Sequence, residues 1–423
     1  MTTNWLKYVV FSFFYLVQSI ILTPTLREGI VGQPTVISPL NTRPTEIDKT
    51  ISNLVFRGLT KYDDRGQIVG DLAQDWEISE DGLTYTFHLL RNIRWHDRRK
   101  FTANDVLYTM SQAESLKMIA SDKLDEYTVR FLLPDKFAPF LDLMRIGIVP
   151  QHLSGEMKPL RPIGTGLYKV LRVQTRGDKV ESIVLGTNQN YPYKKLTFNF
   201  YDDEEKLLQA ARLGEIDSFA AAPGFEWPTF GMTQFPILSQ YYALFFNLDR
   251  EVLQDQAVRE AIASQLPRDQ IAELTIQGEK KKLIAGPIGD PWISPEDNQP
   301  PQYINSFANP LDISLKLAFA PSGERQEIAE MIQTALKEIG VSLELELLDP
   351  EELTEKIAQE HDFDLVLLGQ EVMRDPDRYS LWHSTQTGYP GLNITSFKSP
   401  RTDLALEKGR KTLDLEERRK HYS

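Results

Sequence analysis

Few residues in this chain are spaced for chemistry. The densest candidate is the loop Arg374-Asp375-Pro376-Asp377, whose two carboxylates could hold a metal or a sugar nucleotide, although two acids in one turn are more commonly a solvated loop. The six histidines (His88, His96, His152, His361, His383 and His421) form no HxxxH or HxH pair. They read as surface or satisfied core residues rather than metal ligands. There is no cysteine, which excludes disulfides, thiolate metal sites, cysteine nucleophiles and a lipid-modified cysteine. Gly164-Thr165-Gly166 is the nearest approach to a phosphate loop, but it lacks a third glycine and runs into Tyr168-Lys169-Val170, which reads as a strand. No GxSxG elbow is present, and among 60 Asp and Glu an acid–base pair means nothing without geometry. No catalytic residue, metal or cofactor is expected.

The elements that would position a binding site are easier to read. At 423 residues the chain exceeds the growth of one hydrophobic core, so two or three lobes are expected. A net charge of −13 repels phosphate backbones and no basic stripe is interleaved with aromatics, which argues against nucleic-acid binding. Aromatic residues make up 10%, enough to line a cleft, although core packing takes most of them. Tyr8 to Leu22 is uninterrupted by charge, with Lys7 before it and Pro24 after it. Counted from Trp5 to Thr23 it approaches the ~20 residues that span a bilayer. Val17-Gln18-Ser19 is a poor cleavage site, so residues 1–24 are expected to be a membrane anchor or uncleaved signal in preference to a cleaved signal, with everything after Pro24 outside the cell membrane.

Beyond the anchor, Gly29 to Gly32 reads as a first buried strand, and polar Asn41 to Thr45 as a crossing. Trp76 to Ile78 and Leu83 to Leu89 alternate around Ser79-Glu80-Asp81-Gly82, which predicts an antiparallel hairpin. Thr102-Ala103-Asn104-Asp105 predicts a capped helix start. Pro159, Pro162, Gly164 and Gly166 punctuate a second crossing. Tyr242 to Leu248 reads as a strand, followed by a helix over Gln256 to Ser264. In the last third, Ile313 to Phe319 alternates as a strand. Ser322 can cap a helix bearing Ile328, Met331, Ile332, Ala335, Leu336 and Ile339 and closed by Gly340. Leu343 to Leu347 is a second strand, Asp349-Pro350 starts another helix, and Asp364 to Gly369 is a buried third strand. This βαβαβ order predicts an α/β lobe whose ligand lies beyond the carboxyl ends of the strands, after Gly369.

Several segments together resemble the family 5 extracellular solute-binding proteins, the oligopeptide, dipeptide and nickel-binding group. The run Leu54 to Met110 carries Leu72-Ala73, Trp76, Ser79 to Gly82, the Thr84 to Phe87 strand, Trp95 and Thr102-Ala103-x-Asp105-Val106 in family order. Gly32-Gln33-Pro34-Thr35 with Pro39, Pro162-x-Gly164-Thr165-Gly166-x-Tyr168, and Phe246-Asn247-Leu248 with Val258-Arg259-x-Ala261-Ile262 match further family segments. The resemblance implies an α/β, two-lobed periplasmic-binding-protein-like fold (cluster C) with an extra inserted domain. Residues 25–46 and 159–245 would form the first lobe, 47–158 the insert, and 246–423 the second lobe. Because family members continue well beyond a helix like the one after Leu413, that lobe is expected to be C-terminally truncated.

What the resemblance implies about function is an extracytoplasmic monomer that closes on a peptide between its lobes and delivers it to an ABC permease with its ATPases. Two departures bear on this. Val372 stands where the family's peptide binders usually place the Asp that pairs with the peptide amino terminus, leaving Glu371, Asp375 or Asp377 as substitutes beside the opposite charge of Arg374. Arg98 replaces the Gly of a Trp-x-Asp-Gly pattern in the insert. The candidate ligand residues are Gln33 and Thr35 after the first strand, Phe246 and Asn247 near the lobe crossing, and Gln370, Glu371, Arg374, Asp375 and Asp377 after Gly369. Trp382, as a stacking wall or a core residue, and Asn393 in the loop from Gly388 complete the set. The competing readings are a nickel chelate, haem, opine or oligosaccharide as ligand, a ligand sensor without transport, and a surface hydrolase.

Overall fold

The computed structural model of the chain describes residues 24–220, 227–228, 230–233, 240–275, 283–288, 301–321 and 324–422. The apolar run at residues 5–23 and the expected cap at Ser322 lie outside them. Among the described residues no helix is long and apolar enough to cross a membrane. The chain divides into two compact units, Met1–Asp135 with Phe140–Ala221, and Lys136–Pro139 with Ala222–Ser423.

The main elements of the first unit are β1 (Thr25–Val31), α1 (Glu46–Val55), β2 (Thr60–Tyr62), β3 (Ile68–Gly70), β4 (Ala73–Ile78), β5 (Thr84–Leu89), α2 (Ala103–Gln112), β6 (Ala120–Asp125), β7 (Thr128–Leu132), β8 (Lys169–Arg176), β9 (Lys179–Gly186), β10 (Lys195–Tyr201), α3 (Glu204–Arg212) and β11 (Ser218–Phe219). One sheet has the order β11-β1-β10-β9-β8, with β1 parallel to both its neighbours. Its core joins Ile47, Ile51 and Val55 of α1 to Ile183, Leu185, Phe198 and Phe200. Among the described residues, strands β2 to β7 pair with one another, as β2-β3 and as β4-β5-β7-β6. Both pairings lie in the first unit.

Local chemistry explains the starts and stops. The β4–β5 hairpin turns through Gly82 at φ 72°, and Thr102 and Asp105 form the capping box of α2. A second capping box, Thr45 with Asp48, starts α1 at the end of the polar segment expected only as a crossing. Asp48 is fully buried, and its carboxylate accepts from Thr35 N–H (2.8 Å), Thr35 Oγ1 (2.6 Å), Thr45 N–H (3.1 Å) and Thr45 Oγ1 (2.9 Å). Burial would raise its pKa, but these donors outweigh burial and hold it below the ordinary value.

The Pro159 to Tyr168 segment runs against the last turn of α1. Gly166 N–H donates to Val55 O at 2.7 Å and Tyr168 N–H to Leu54 O at 3.1 Å. A Cβ on Gly164 would collide with the Val55 carbonyl, so the backbone approach itself requires glycine. His96 clamps the same segment from the other side: Gly164 N–H donates to its Nδ1 (3.3 Å), and its Nε2 lies 3.0 Å from Gly166 O. That arrangement needs a neutral ring protonated on Nε2.

The main elements of the second unit are β12 (Gln240–Phe246), α4 (Gln256–Gln265), β13 (Ile313–Phe319), α5 (Arg325–Lys337), β14 (Val341–Leu347), α6 (Pro350–Glu355), β15 (Leu365–Glu371), α7 (Tyr379–Trp382), α8 (Pro400–Lys411) and α9 (Leu415–Tyr422). The βαβαβ pattern holds: β13 is parallel to β14 and to β15, and β12 closes the sheet antiparallel in the order β12-β15-β13-β14. Leu253, Val258, Ile262, Leu317, Ile328, Ile332, Leu336 and Leu367 form the core on one face. Phe245, Ala318, Leu353, Ile357, Phe363 and Val366 form it on the other. The boundary expected at residues 245 and 246 falls within β12, whose whole length pairs with β15, so residues 240–245 belong to this sheet.

Arg98 sits at φ 77°, the left-handed region that glycine enters without strain and arginine does not. Replacing it, Arg98→Gly, should stabilise the protein by about 1 kcal/mol in a urea melt, since relieved strain exceeds the added unfolded-state freedom. His96 is held below the ordinary imidazole value by burial first, with Lys169 adding to the effect against Gly166 O and Asp97. The unfolded chain therefore takes up a proton that the folded chain refuses, and stability should fall as pH drops below about 6.5. An NMR titration should place the His96 midpoint below that value, and a normal midpoint would contradict the clamp.

Candidate functional site

Because β13 and β15 are parallel, their carboxyl ends lie on one edge of the second unit's sheet, where open α/β sheets hold ligands. Strand β12 runs the other way, so its first residues share that edge: Gln240 pairs with Glu371, Tyr241 with Gln370 and Tyr242 with Gly369. The Tyr241 hydroxyl donates to Gln370 Oε1, and burial pushes its phenol up to about 12. Tyr242 is 51% exposed and lies across Gly369, where an added Cβ would come within 3.2 Å of the ring. The Arg325 guanidinium stands 5.7 Å from the Tyr242 ring centroid, a cation–π distance. Its Nε is buried without a hydrogen-bond partner among the described residues. Exposed Glu371, Met373 and Arg374 continue the rim.

Behind the rim the chain turns inward. Asp375 is 7% exposed and Arg418, from α9, 2% exposed. Arg418 Nη1 and Nη2 each donate to one Asp375 oxygen at 2.7 Å, while its Nε donates to Gly409 O at 2.7 Å. Burial opposes the Arg418 charge, but the bonds to Asp375 outweigh it and raise its pKa. Buried Arg378 is caged by carbonyls, donating to Pro287 O (2.9 Å), Met373 O (3.0 Å), Asp375 O (2.6 Å) and Asp377 O (3.2 Å). Burial lowers its pKa from the ordinary arginine value. Asp377 accepts from Arg410 Nε at 2.9 Å, and Arg410 stacks 4.2 Å from the Tyr379 ring centroid. His383 covers the opposite part of this stack, 4.1 Å from Tyr379 at an interplanar angle of 19°.

The sequence-predicted residues divide accordingly. Strand β15 runs on through Glu371 rather than ending at Gly369, because its pairing with Tyr241 and Gln240 continues. Gln370 and Glu371 are therefore strand residues, and with Arg374 they lie at the rim. Asp375 and Asp377 spend their carboxylates on arginines. Phe246 pairs with Leu365, six residues or roughly 20 Å down the strand from the rim, and Asn247 follows it. Asn247 is 1% exposed, donating to His361 O and Phe363 O and accepting from Asp249 N–H. Trp382 packs among Phe245, Phe397 and the second face's core. Asn393 is 1% exposed and ties His383 O to Phe397 O. In the first unit, Gln33 exchanges two bonds with the Val180 backbone and Thr35 serves Asp48.

Sequence reading missed Tyr241, Tyr242, Arg325, Arg378 and Arg418. The first two were discoverable, since the alternation of β12 begins with two tyrosines. The three arginines carried no local signal, because their partners are distant in sequence or are backbone carbonyls.

Elsewhere, a surface concavity of about 390 Å³ on the β4-β5-β7 face is lined by Asp75, Trp76, Glu77, His88, Arg91 and Tyr127. The Asp75, Glu77 and His88 side chains there are 57%, 80% and 41% exposed, so it is a solvated sheet face. Among the described residues no group of three or more His, Asp or Glu is placed to hold a metal.

Comparison with known proteins matches residues 67–390 to the bacterial extracellular solute-binding proteins, family 5, middle region. The oligopeptide-binding protein AppA of Bacillus subtilis is 23% identical, over 93% of this chain and 82% of its own. Among solved structures, NikZ from Campylobacter jejuni in complex with Ni(L-His) aligns at TM-score 0.75 and 24% identity, covering 95% of this chain and 89% of NikZ. B. subtilis AppA in complex with a nonapeptide aligns at TM-score 0.70 and 21% identity, covering 94% and 89%. These structural likenesses establish the two-lobed periplasmic binding fold. With the family match spanning most of its length, this chain belongs to the bacterial extracellular solute-binding proteins of family 5.

Proposed function

We propose that this chain is the substrate-binding component of an ABC importer and that it captures short peptides at the rim formed by Tyr241, Tyr242, Arg325, Gln370, Glu371 and Arg374. The observation that carries this is the exposed carboxyl edge of the second unit's sheet. Aromatic faces for side chains, strand ends for backbone hydrogen bonds and charges of both signs for a zwitterionic chain stand there together. The family membership and the likeness to AppA in complex with a nonapeptide support a peptide ligand. Residues 47–158 serve as an inserted domain and residues 5–23 as a tether to the outer face of the cell membrane. The protein acts as a monomer delivering its ligand to the permease and its ATPases.

Val372 removes the expected ammonium partner, and of the three acids able to replace it, Asp375 and Asp377 are bound to arginines. Glu371 lies at the solvent-exposed carboxyl end of β15, and on that placement we assign it to the peptide amino terminus. A second reading, a metal chelate such as the Ni(L-His) of NikZ, draws on the same Val372.

Calorimetric titration with tri- to pentapeptides should give binding, weakened about tenfold or more by Glu371→Gln for free amino termini but not for acetylated ones. No heat with peptides and tight binding of Ni(L-His) or an oligosaccharide would overturn the peptide assignment. For the tether, the full chain should stay with membranes through alkaline carbonate extraction and a chain starting at Pro24 should not; release of both would refute it.

A further inference from the structure

We propose that Arg418 is a positioning residue for ligand capture, acting through Asp375 to hold Met373 and Arg374 at the rim; this rests on the rim reading above. Arg418 lies 43 residues from Asp375, and the two close a bidentate pair sealed from water. Its third donor binds the Gly409 carbonyl, so the guanidinium is fixed from α8 as well. Tyr422 completes the wall: its ring fills the space at Gly409, where any Cβ would collide with it, and lies 5.7 Å from the Arg418 guanidinium. Two successive turns then run from the anchored carboxylate, as Asp375 Oδ1 accepts Asp377 N–H (2.9 Å) and Asp377 Oδ1 accepts Tyr379 N–H (3.1 Å).

Neither Asp375 nor Arg418 lies in a strand of the sheet: Asp375 follows β15 and Arg418 is in α9. Losing the pair therefore leaves the strand ladder intact, whereas the loop after Glu371 loses its anchor. A loop free to sample other shapes must be ordered again at each binding event, and that ordering weakens affinity without removing any ligand contact. A residue that never touches ligand can thus set how tightly the rim binds.

The test uses the full chain, with a tri- to pentapeptide mixture and Ni(L-His) as separate probes. Arg418→Met should weaken the probe that wild type binds at least tenfold. It should also speed amide exchange at Asp377 and Tyr379 while leaving β13 and β14 protected. Since Arg418→Met strands a buried carboxylate and threatens folding, the apolar pair Asp375→Leu with Arg418→Met is measured beside it. That pair should recover the melting temperature but not the affinity. Affinity that returns together with melting temperature makes Arg418 merely structural and overturns the proposal. Tyr242→Ala and Arg374→Ala separate the two ideas: wild-type affinity in both removes the rim and this proposal with it. Lowered affinity in both, with full affinity in the apolar pair, leaves the rim standing and removes only the positioning role.

Discussion

A carboxylate taken out of water must meet a cation in good geometry, and the Asp375–Arg418 pair meets that constraint with two 2.7 Å bonds. Losing one partner of such a pair costs about 3–5 kcal/mol, because the other is left charged in a poorly solvating site. Much of the second unit's outer architecture follows from satisfying it. Helix α9 must lie where Arg418 can reach in, α8 must carry glycine at position 409 to admit Tyr422, and the chain after β15 must turn inward at Asp375. Arg378 solves the complementary problem. Four carbonyls in the irregular chain around it lack strand partners, and one buried guanidinium collects them.

The direction of one strand decides where binding is placed. Were β12 parallel to β15, Phe246 and Asn247 would stand beside Gln370 and Glu371. Being antiparallel, it brings Tyr241 and Tyr242 there instead and sends Asn247 to the far end, where it staples the His361 to Asp364 loop. The rim's aromatic character is thus a consequence of sheet topology acting on an unremarkable alternating strand.

In the first unit, polar residues that stand out in the sequence serve the fold. Gln33 gives one N–H of its side-chain amide to the Val180 carbonyl and accepts the Val180 N–H on its oxygen. Thr35 gives its backbone and hydroxyl donors to Asp48, a carboxylate that could not remain charged in the interior without them. The Gly164-Thr165-Gly166 motif is the contact of a chain segment with the end of α1, held on the opposite side by a neutral histidine.

Local order was therefore legible in the amino-acid sequence. The hairpin at Gly82, the caps at Thr102 and Asp349 and the β13–α5–β14–α6–β15 order follow from periodicity and turn chemistry within some 20 residues of chain, while the family resemblance rests on motifs distributed along it. The end of β15 did not, since Gln370 and Glu371 are strand residues only because Tyr241 and Gln240, about 130 positions earlier, pair with them. Nor did the allocation of polar side chains. Asp375 reads in sequence as a ligand-facing acid and becomes an internal ion pair only once α9 folds back onto it. Whether a polar group faces a ligand or its own protein depends on which distant donors arrive, and that is decided by tertiary structure alone.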